Sequence, residues 1–254
     1  MKPPDWKVEF ETAESKRALT RQVFDMLAPR YELVCRGYSF GRDAAWKRAL
    51  LAGLPDHPAP VCLDIACGTG ALSRALAARY ANGRVVGLDD SEAMLEEARA
   101  MGGARIEYAR GNMQRMDWGD HSVDILTGGY ALRNAPDFDA TLREIARVLK
   151  PGGCAAFLDF CHSDWEPYAR VVDVGLRIWG GLWGWALFRR PAVFTYVAES
   201  LLRYPRRRDV RRRLNDAGLR VVRSRRYALG AIEAIWCERT AGAPSPSPTP
   251  PSNP

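Results

Sequence analysis

The chain has no apolar run approaching the ~20 residues that a bilayer crossing needs, which excludes a membrane-spanning helix. Its opening, "MKPPDWKVEFETAESK", has no apolar centre and carries several acids, so it reads neither as a secretory signal nor as a transit peptide. The six cysteines (35, 62, 67, 154, 161 and 237) form no C-x-x-C pair and show no Cys/His metal spacing. They read as buried thiols of a reducing compartment. There are three histidines and no Ser-His-Asp arrangement, which argues against triad hydrolysis and a bound metal. Internal repeats are also missing.

At 254 residues, 47% hydrophobic and 26% charged, the chain is long enough for one large domain or two small ones. Net charge is +7, and the excess is local: eleven arginines and only two acids, Asp209 and Asp216, lie between Arg203 and Arg226. A solvated helix face accounts for such a cluster, and so does a surface for anionic lipid or nucleic acid. The final "AGAPSPSPTPPSNP" is a Pro/Ser tail with nothing to bury, expected to be disordered.

From residue 60 strand and helix patterns alternate. Strands are expected at 61–66, 84–89, 104–110, 122–129 and 154–160, with two more adjacent ones over 219–229 and 231–239. Helices are expected over 71–81, over 90–101 with Asp90 or Ser91 as cap, and over 137–150 with Asp137 or Asp139 near the start. Residues 10–55 read as mostly helical. This order predicts an α/β fold, a mostly parallel sheet with helices on both faces.

"DIACGTG" (64–70) falls between the first strand and a helix. Gly68 and Gly70 let the backbone turn tightly beside a ligand, and the helix amides follow. Asp89 ends the second strand, where an acid can accept from ribose hydroxyls. The third glycine of a dinucleotide fingerprint is missing, as is the Gly-Lys-Ser/Thr of a phosphate loop. The motif instead resembles the first motif of class I S-adenosylmethionine-dependent methyltransferases. That resemblance implies a Rossmann-like seven-stranded sheet and S-adenosyl-L-methionine as cofactor, held by Asp64, Ala66, Gly68, Thr69, Gly70, Asp89 and Asp90. It adds Asn112 and Met113 beside the adenine, and it implies no metal.

Three further stretches narrow the resemblance. "YELVCRGYSFGRDAAWK" (31–47), "GGYALRNAPDFDATLREIARVLKPGG" (128–153) and "YVAESLLRYP" (196–205) are similar to segments of the ubiquinone/menaquinone biosynthesis C-methyltransferase family. The likeness covers about residues 20 to 237. Glu32, Cys35, Ala131 and the turn Ala228-Leu229-Gly230 depart from the family pattern, and residues 161–191 fit it poorly. The implied organisation is an N-terminal segment (1–20), one methyltransferase domain (21–240) with a helical N-terminal cap and an insert cover (161–205), and the tail (241–254). The implied reaction moves methyl to a ring carbon of a prenylated quinol, demethylmenaquinol first and a ubiquinone-pathway quinol second. Another lipophilic metabolite is an alternative acceptor; a basic nucleic-acid-binding protein or a non-catalytic scaffold are readings of another class.

A phenolic carbon attacks poorly until its hydroxyl is ionised, so the site needs a proton acceptor and an oxyanion partner. Arg133 is the candidate oxyanion partner, or else pairs with a helix carboxylate. Asn134 either orients the acceptor or caps the next helix. Tyr130 faces the ring or packs. His162 is the candidate base, against an ordinary structural role, with Asp159 and Asp164 weaker. Tyr31 and Tyr196 line the acceptor pocket or pack in the core.

"RIWGGLWGWALFRRP" (177–191) lies where the cover is expected. Ile178, Leu182, Trp185 and Phe188 fall near helical spacing, giving an amphipathic helix weakened by Gly181 and Gly184. Either this face packs on the core, or it meets a prenyl chain or bilayer with Trp179 and Trp183 at the interface and Arg189 and Arg190 near anionic head groups. The expected location is cytoplasmic, with peripheral contact at the inner face of an anionic membrane. Nucleic acid is disfavoured as a partner, because the arginines lack an aromatic platform; a homodimer is left open.

Overall fold

Seven strands and the helices between them fulfil the alternation, in a computed structural model that describes residues 11–188 and 191–241. In chain order α1 (Ala13–Leu27), α2 (Tyr31–Tyr38) and α3 (Asp43–Ala52) precede the sheet. Then come β1 (Val61–Ile65), α4 (Ala71–Arg79), β2 (Arg84–Asp89), α5 (Glu92–Ala100), β3 (Ile106–Arg110), β4 (Val123–Gly129), α6 (Phe138–Val148) and β5 (Leu149–Phe160). The chain continues through α7 (Glu166–Phe188), α8 (Pro191–Leu202), α9 (Arg207–Asp216), β6 (Leu219–Tyr227) and β7 (Ile232–Arg239).

The strand order is β3-β2-β1-β4-β5-β7-β6. Strands β1 to β5 pair in parallel, and β7 runs antiparallel to both β5 and β6. Buried on both faces, β1 and β5 read as apolar runs rather than alternations. Right-handed crossovers put α4 and α5 on one face, where α3 also packs, and α6 on the other, where it meets α9. The order reverses between β1 and β4, so a crevice opens at their carboxyl ends. Gly68, Asp89 and Tyr130 all lie just beyond strand ends there.

Helix boundaries follow their caps. Thr12 and Ser15 form a reciprocal capping box at the start of α1, Ser91 caps α5 through Met94 N–H (3.1 Å), and Asp137 caps α6 through Ala140 N–H (2.9 Å). Helix α4 stops at Arg79, two residues before the expected end, where the Tyr80 backbone leaves helical geometry (φ −112°, ψ 76°) and its carbonyl accepts from Gly83 N–H (2.9 Å). Helix α1 crosses the expected boundary at residue 20, so residues 13–20 belong to the domain. The N-terminal helices form a second small core, Leu19, Val23, Leu27 and Val34 with Met94 of α5 and Tyr196 of α8. Of the N-terminal segment, residues 1–10 lie outside the described residues, as do Arg189, Arg190 and residues 242–254 of the tail.

The tryptophan-rich stretch is the second half of the 23-residue α7. Trp183 lies against Gly37, and Trp179 stacks on Phe40 (centroids 4.9 Å apart) while donating to the Gly37 carbonyl (3.3 Å). The face for which packing and lipid contact were both open is the exposed one: Val171, Val174, Ile178, Leu182 and Trp185 are each more than half exposed. Phe188 has no described side chain. No helix among the described residues is long and apolar enough to cross a membrane.

The arginine cluster resolves into α9 and the edge strand β6. Arg206, Arg208, Arg211, Arg212, Arg213 and Arg220 meet carboxylates of Glu166, Asp164, Glu233, Asp209, Asp139 and Glu238. Charge on an edge strand also blocks pairing with another sheet.

Trp236 of β7 is buried against α3 and donates to the Leu50 carbonyl (2.9 Å). A Cβ at Gly53 would lie 2.6 Å from its indole. Gly53→Ala is expected to destabilise the fold by about 1–3 kcal/mol through overpacking, measured as a lowered urea midpoint with unchanged slope.

Candidate active site

A carboxylate ties the loop after β1 to the helix after β2. Asp89, at the end of β2, accepts from Gly68 N–H (2.8 Å) with one oxygen and Ser91 N–H (2.9 Å) with the other. It thus ties the glycine loop to the start of α5. Gly68 (φ +54°) and Gly70 (φ +78°) occupy the left-handed region that a side chain would strain. Burial pushes the Asp89 carboxyl up to about 6, against the hydrogen bonds that favour its ionised form.

Above this loop lies a cavity of about 680 Å³. Ala66, Gly68, Asp89, Asp90, Asn112, Met113, Tyr130 and Asn134 all line it, so the structure brings most of the expected residues together. Three placements differ. Asp64 is fully buried below the loop and accepts from Ser73 (2.6 Å) and Thr127 (2.8 Å), with burial pushing its carboxyl up to about 6. Thr69 donates to Glu32, and Gly70 sits over Tyr108; neither lines the main cavity. Asn112 gives one lone pair of its amide oxygen to Gln114 N–H (3.0 Å), leaving the second for a ligand.

The sequence pattern does not reveal the roof. Arg17, Thr20, Arg21 and Phe24 of α1 also line this cavity. Arg17 pairs with Asp90 through two bonds (2.6 and 2.8 Å), and Lys16 donates to the Ala135 carbonyl. An amphipathic helix reads the same whether it covers a ligand or a core, so these contacts left no sequence signal. The donor set fits an adenosyl amino acid: a carboxylate at the strand end for a diol, left-handed glycines for close backbone approach, and an amide with an apolar neighbour for a flat ring.

A second cavity of about 630 Å³ adjoins the first. Its lining is apolar, with Val23, Leu27, Val34, Trp46, Phe160 and Ile232, and it also contains Tyr31 and Tyr196, the latter packed in the N-terminal core as well. Phe24, Tyr31 and Tyr130 line both cavities and form the wall between them.

Arg133 is the charged group of the apolar cavity, and it is almost fully buried. Its partners correct the expected helix carboxylate. Asp159 at the end of β5 lies 3.6 Å from Nε, Ser200 of α8 accepts from the guanidinium, and the ring of Phe160 lies beneath (5.3 Å). Nε itself makes no hydrogen bond. Asn134 is not a cap, since Asp137 fills that role. Asn134 instead donates to the Tyr130 carbonyl (2.7 Å) and accepts from Tyr196 Oη (3.1 Å). His162 lines neither main cavity. It sits in a separate recess with Cys161, Arg207 and Glu233, its Nε2 3.8 Å from Asp173. Asp164 faces Arg208 on the surface. No cluster of possible metal ligands occurs among the described residues.

The chain matches the ubiE/COQ5 methyltransferase family over residues 11–238. It is 30% identical over 222 residues to a demethylmenaquinone methyltransferase of Bacillus cytotoxicus, covering 85% of this chain and 94% of that one. It is 32% identical over 231 residues to a ubiquinone/menaquinone biosynthesis C-methyltransferase of Rubrivivax gelatinosus, covering 90% of each. Among solved structures, a SAM-dependent methyltransferase from Thermotoga maritima superposes with a TM-score of 0.61 at 19% identity, over 87% of this chain and all of that one. The geranyl diphosphate C-methyltransferase of Streptomyces coelicolor, solved with geranyl diphosphate and S-adenosyl-L-homocysteine, gives 0.59 at 15%, over 78% and 79%. Both share the Rossmann-like class I fold.

Ribose hydroxyls donate best to an ionised Asp89, so binding must remove the proton that Asp89 keeps below about pH 6. The affinity for S-adenosyl-L-homocysteine in calorimetry is therefore expected to rise with pH through about 6 and then level off. Asp89→Asn should weaken binding by about tenfold or more at neutral pH and abolish this dependence, whereas Asp64→Asn should keep it.

Proposed function

The chain belongs to the ubiE/COQ5 methyltransferase family and is an S-adenosyl-L-methionine-dependent methyltransferase, and from that premise we propose that its acceptor is a ring carbon of a prenylated quinol. Demethylmenaquinol is the first choice, after the relatives' names, and a ubiquinone-pathway quinol the second. The observation that carries this reading is the apolar cavity beside the cofactor cavity, with one buried guanidinium in it. An apolar ring and isoprenoid chain suit the lining, and Arg133 suits the one oxygen that must gain charge.

The cofactor supplies an electrophilic methyl on a sulfonium. The residues supply the rest. Asp89, Asn112, Met113 and the loop at Gly68 hold the donor, with Ala66 and Asp90 beside them. Phe24, Tyr31 and Tyr130 separate donor from acceptor and fix the direction of approach. Arg133 stabilises the quinolate oxygen, and its site costs little reorganisation because Asp159, Ser200 and Phe160 already fix its plane. Asn134 and Tyr196 form a positioning pair that braces the wall from behind. His162, outside both cavities, holds α7 to the sheet through Asp173.

The exposed stripe of α7 supports peripheral contact with an anionic membrane, where such a quinol resides. Val171, Val174, Ile178, Leu182 and Trp185 form one face, and Phe40 and Leu229 expose two more apolar side chains at left-handed turns. Arg170, 3.5 Å from Glu166, and Arg177, 2.8 Å from Glu199, flank this face on the same helix.

Purified protein given labelled S-adenosyl-L-methionine and demethylmenaquinol should label the quinone ring carbon, and Arg133→Met should lower kcat by about 10²-fold or more. Absence of label in every prenylated quinol offered would refute the acceptor. In sedimentation with vesicles containing phosphatidylglycerol, Leu182→Ser with Trp185→Ser should weaken binding by about tenfold or more. Unchanged binding in that double variant would rule out the stripe as the contact.

A further inference from the structure

The wall residue Tyr130 does not end at the cavity. Its hydroxyl donates to Asp43 Oδ1 (2.7 Å), 87 positions away in sequence. The other oxygen of Asp43 meets Lys47 Nζ (2.7 Å), one turn along α3. Asp43 is 8% exposed and also lines an outer groove with Glu32, Leu33, Arg36, Gly41 and Ala44. A single carboxylate thus stands between a cavity-lining phenol and solvent.

We propose that Tyr130 and Asp43 form a two-link proton relay that takes the acceptor's hydroxyl proton and returns it after methyl transfer. The proposal rests on the quinol reading above. Tyr130 is the catalytic residue that touches the acceptor, and Asp43 and Lys47 are positioning residues behind it. A proton acceptor is required because the phenolic carbon must be activated, and His162 lies outside both cavities. Arg133 is a guanidinium and cannot accept a proton.

In the forward direction the quinol O–H proton passes to Tyr130 Oη as the Tyr130 proton passes to Asp43 Oδ1. The ring carbon, now bearing quinolate electron density, forms its bond to the methyl as the sulfonium S–C bond breaks and that electron pair stays on sulfur. The product is then a dienone, which loses its ring proton to solvent. Its oxygen recovers a proton from Tyr130, and Tyr130 recovers one from Asp43. The balance is one methyl transferred, one ring proton released and the relay reset.

The groups around Asp43 fit this assignment. Lys47 on its own helix pairs with the carboxylate, and Tyr130 faces it from the end of β4. From α2 come Tyr31, Cys35 and Glu32, and Asp64 of β1 lies beyond Lys47. Burial pushes the Cys35 thiol up to about 12, and burial with the Asp43 charge pushes the Tyr130 phenol well above its ordinary value. Both are therefore neutral at rest, and Asp43 is the group with a free lone pair for the proton.

Tyr130→Phe removes the first link and Asp43→Asn the second. With demethylmenaquinol, each should lower kcat by about 10²-fold, with KM changed by less than about threefold. With a chlorinated demethylmenaquinol, whose hydroxyl ionises unaided, the gap between native protein and Tyr130→Phe should narrow to less than about tenfold. A second readout needs no turnover. Para-nitronaphthol is titrated by absorbance in the S-adenosyl-L-homocysteine complex, and its bound ionisation should shift upward by about one pH unit or more in Tyr130→Phe. Variants that bind S-adenosyl-L-homocysteine normally are folded. Native rates with an unchanged nitronaphthol titration in Tyr130→Phe would overturn the relay. Native protein that fails to methylate the quinol while the titration shifts as stated would instead overturn the acceptor and leave the relay supported.

Discussion

The site depends on one constrained residue at the end of β4. Tyr130 is held at φ +59°, in the left-handed region that costs a non-glycine residue roughly 1–2 kcal/mol. Its amide donates to the Leu158 carbonyl of β5 (2.6 Å), so the chain turns sharply out of the sheet where β4 and β5 part. An ordinary extended continuation would carry the ring away from the crevice. The turn instead places it between the two cavities, with Phe24 and Tyr31 completing the wall. Strain at such a point persists only because the surroundings over-determine it. Asn134 grips the Tyr130 carbonyl, Asp43 the hydroxyl, and Leu158 the amide.

Around that wall, several charges that bear on the reaction are paired. Arg133 has Asp159, Asp43 has Lys47, and Asp90 has Arg17. Isolated charges at these depths would be neutralised rather than tolerated. Pairing fixes their geometry, which electrostatic stabilisation of a developing quinolate requires. The same pairs connect layers of the fold. Arg133–Asp159 joins two strand ends, and Arg17–Asp90 fastens α1 over the cofactor cavity. The bond from Arg133 to Ser200 brings in α8. Donor site, acceptor site and cover therefore depend on one another.

Much of the architecture was legible in the sequence because it is local. Parallel strands buried on both faces leave apolar runs, and a glycine turn followed by an acid at the next strand end leaves a fixed spacing. Helix starts were legible to within a residue or two for the same reason, though not which of Asp90 and Ser91, or of Asn134, Asp137 and Asp139, would cap. What pattern could not reveal was pairing at long range. Nothing in periodicity says that Asp43 meets Tyr130, that Tyr196 engages Asn134, or that α1 roofs the cofactor cavity. The tryptophan stretch left its packed face open for a related reason. Helical spacing located two faces, but which one packs was decided by Gly37, whose missing side chain gives room to Trp183. The larger apolar stripe was left facing out. Histidine chemistry suggested His162, yet its neighbours hold it in a recess with Asp173.

Donor and acceptor are expected in adjacent cavities divided by Tyr130, and a crystal structure of the protein with S-adenosyl-L-homocysteine and a short-chain demethylmenaquinol analogue is the most direct test. The analogue's ring should lie in the apolar cavity, one hydroxyl within hydrogen-bond reach of Tyr130 Oη and the Arg133 guanidinium, and the adjacent unsubstituted carbon facing the cofactor's sulfur. An analogue bound elsewhere, or a ring turned so that no hydroxyl meets either group, would contradict this arrangement.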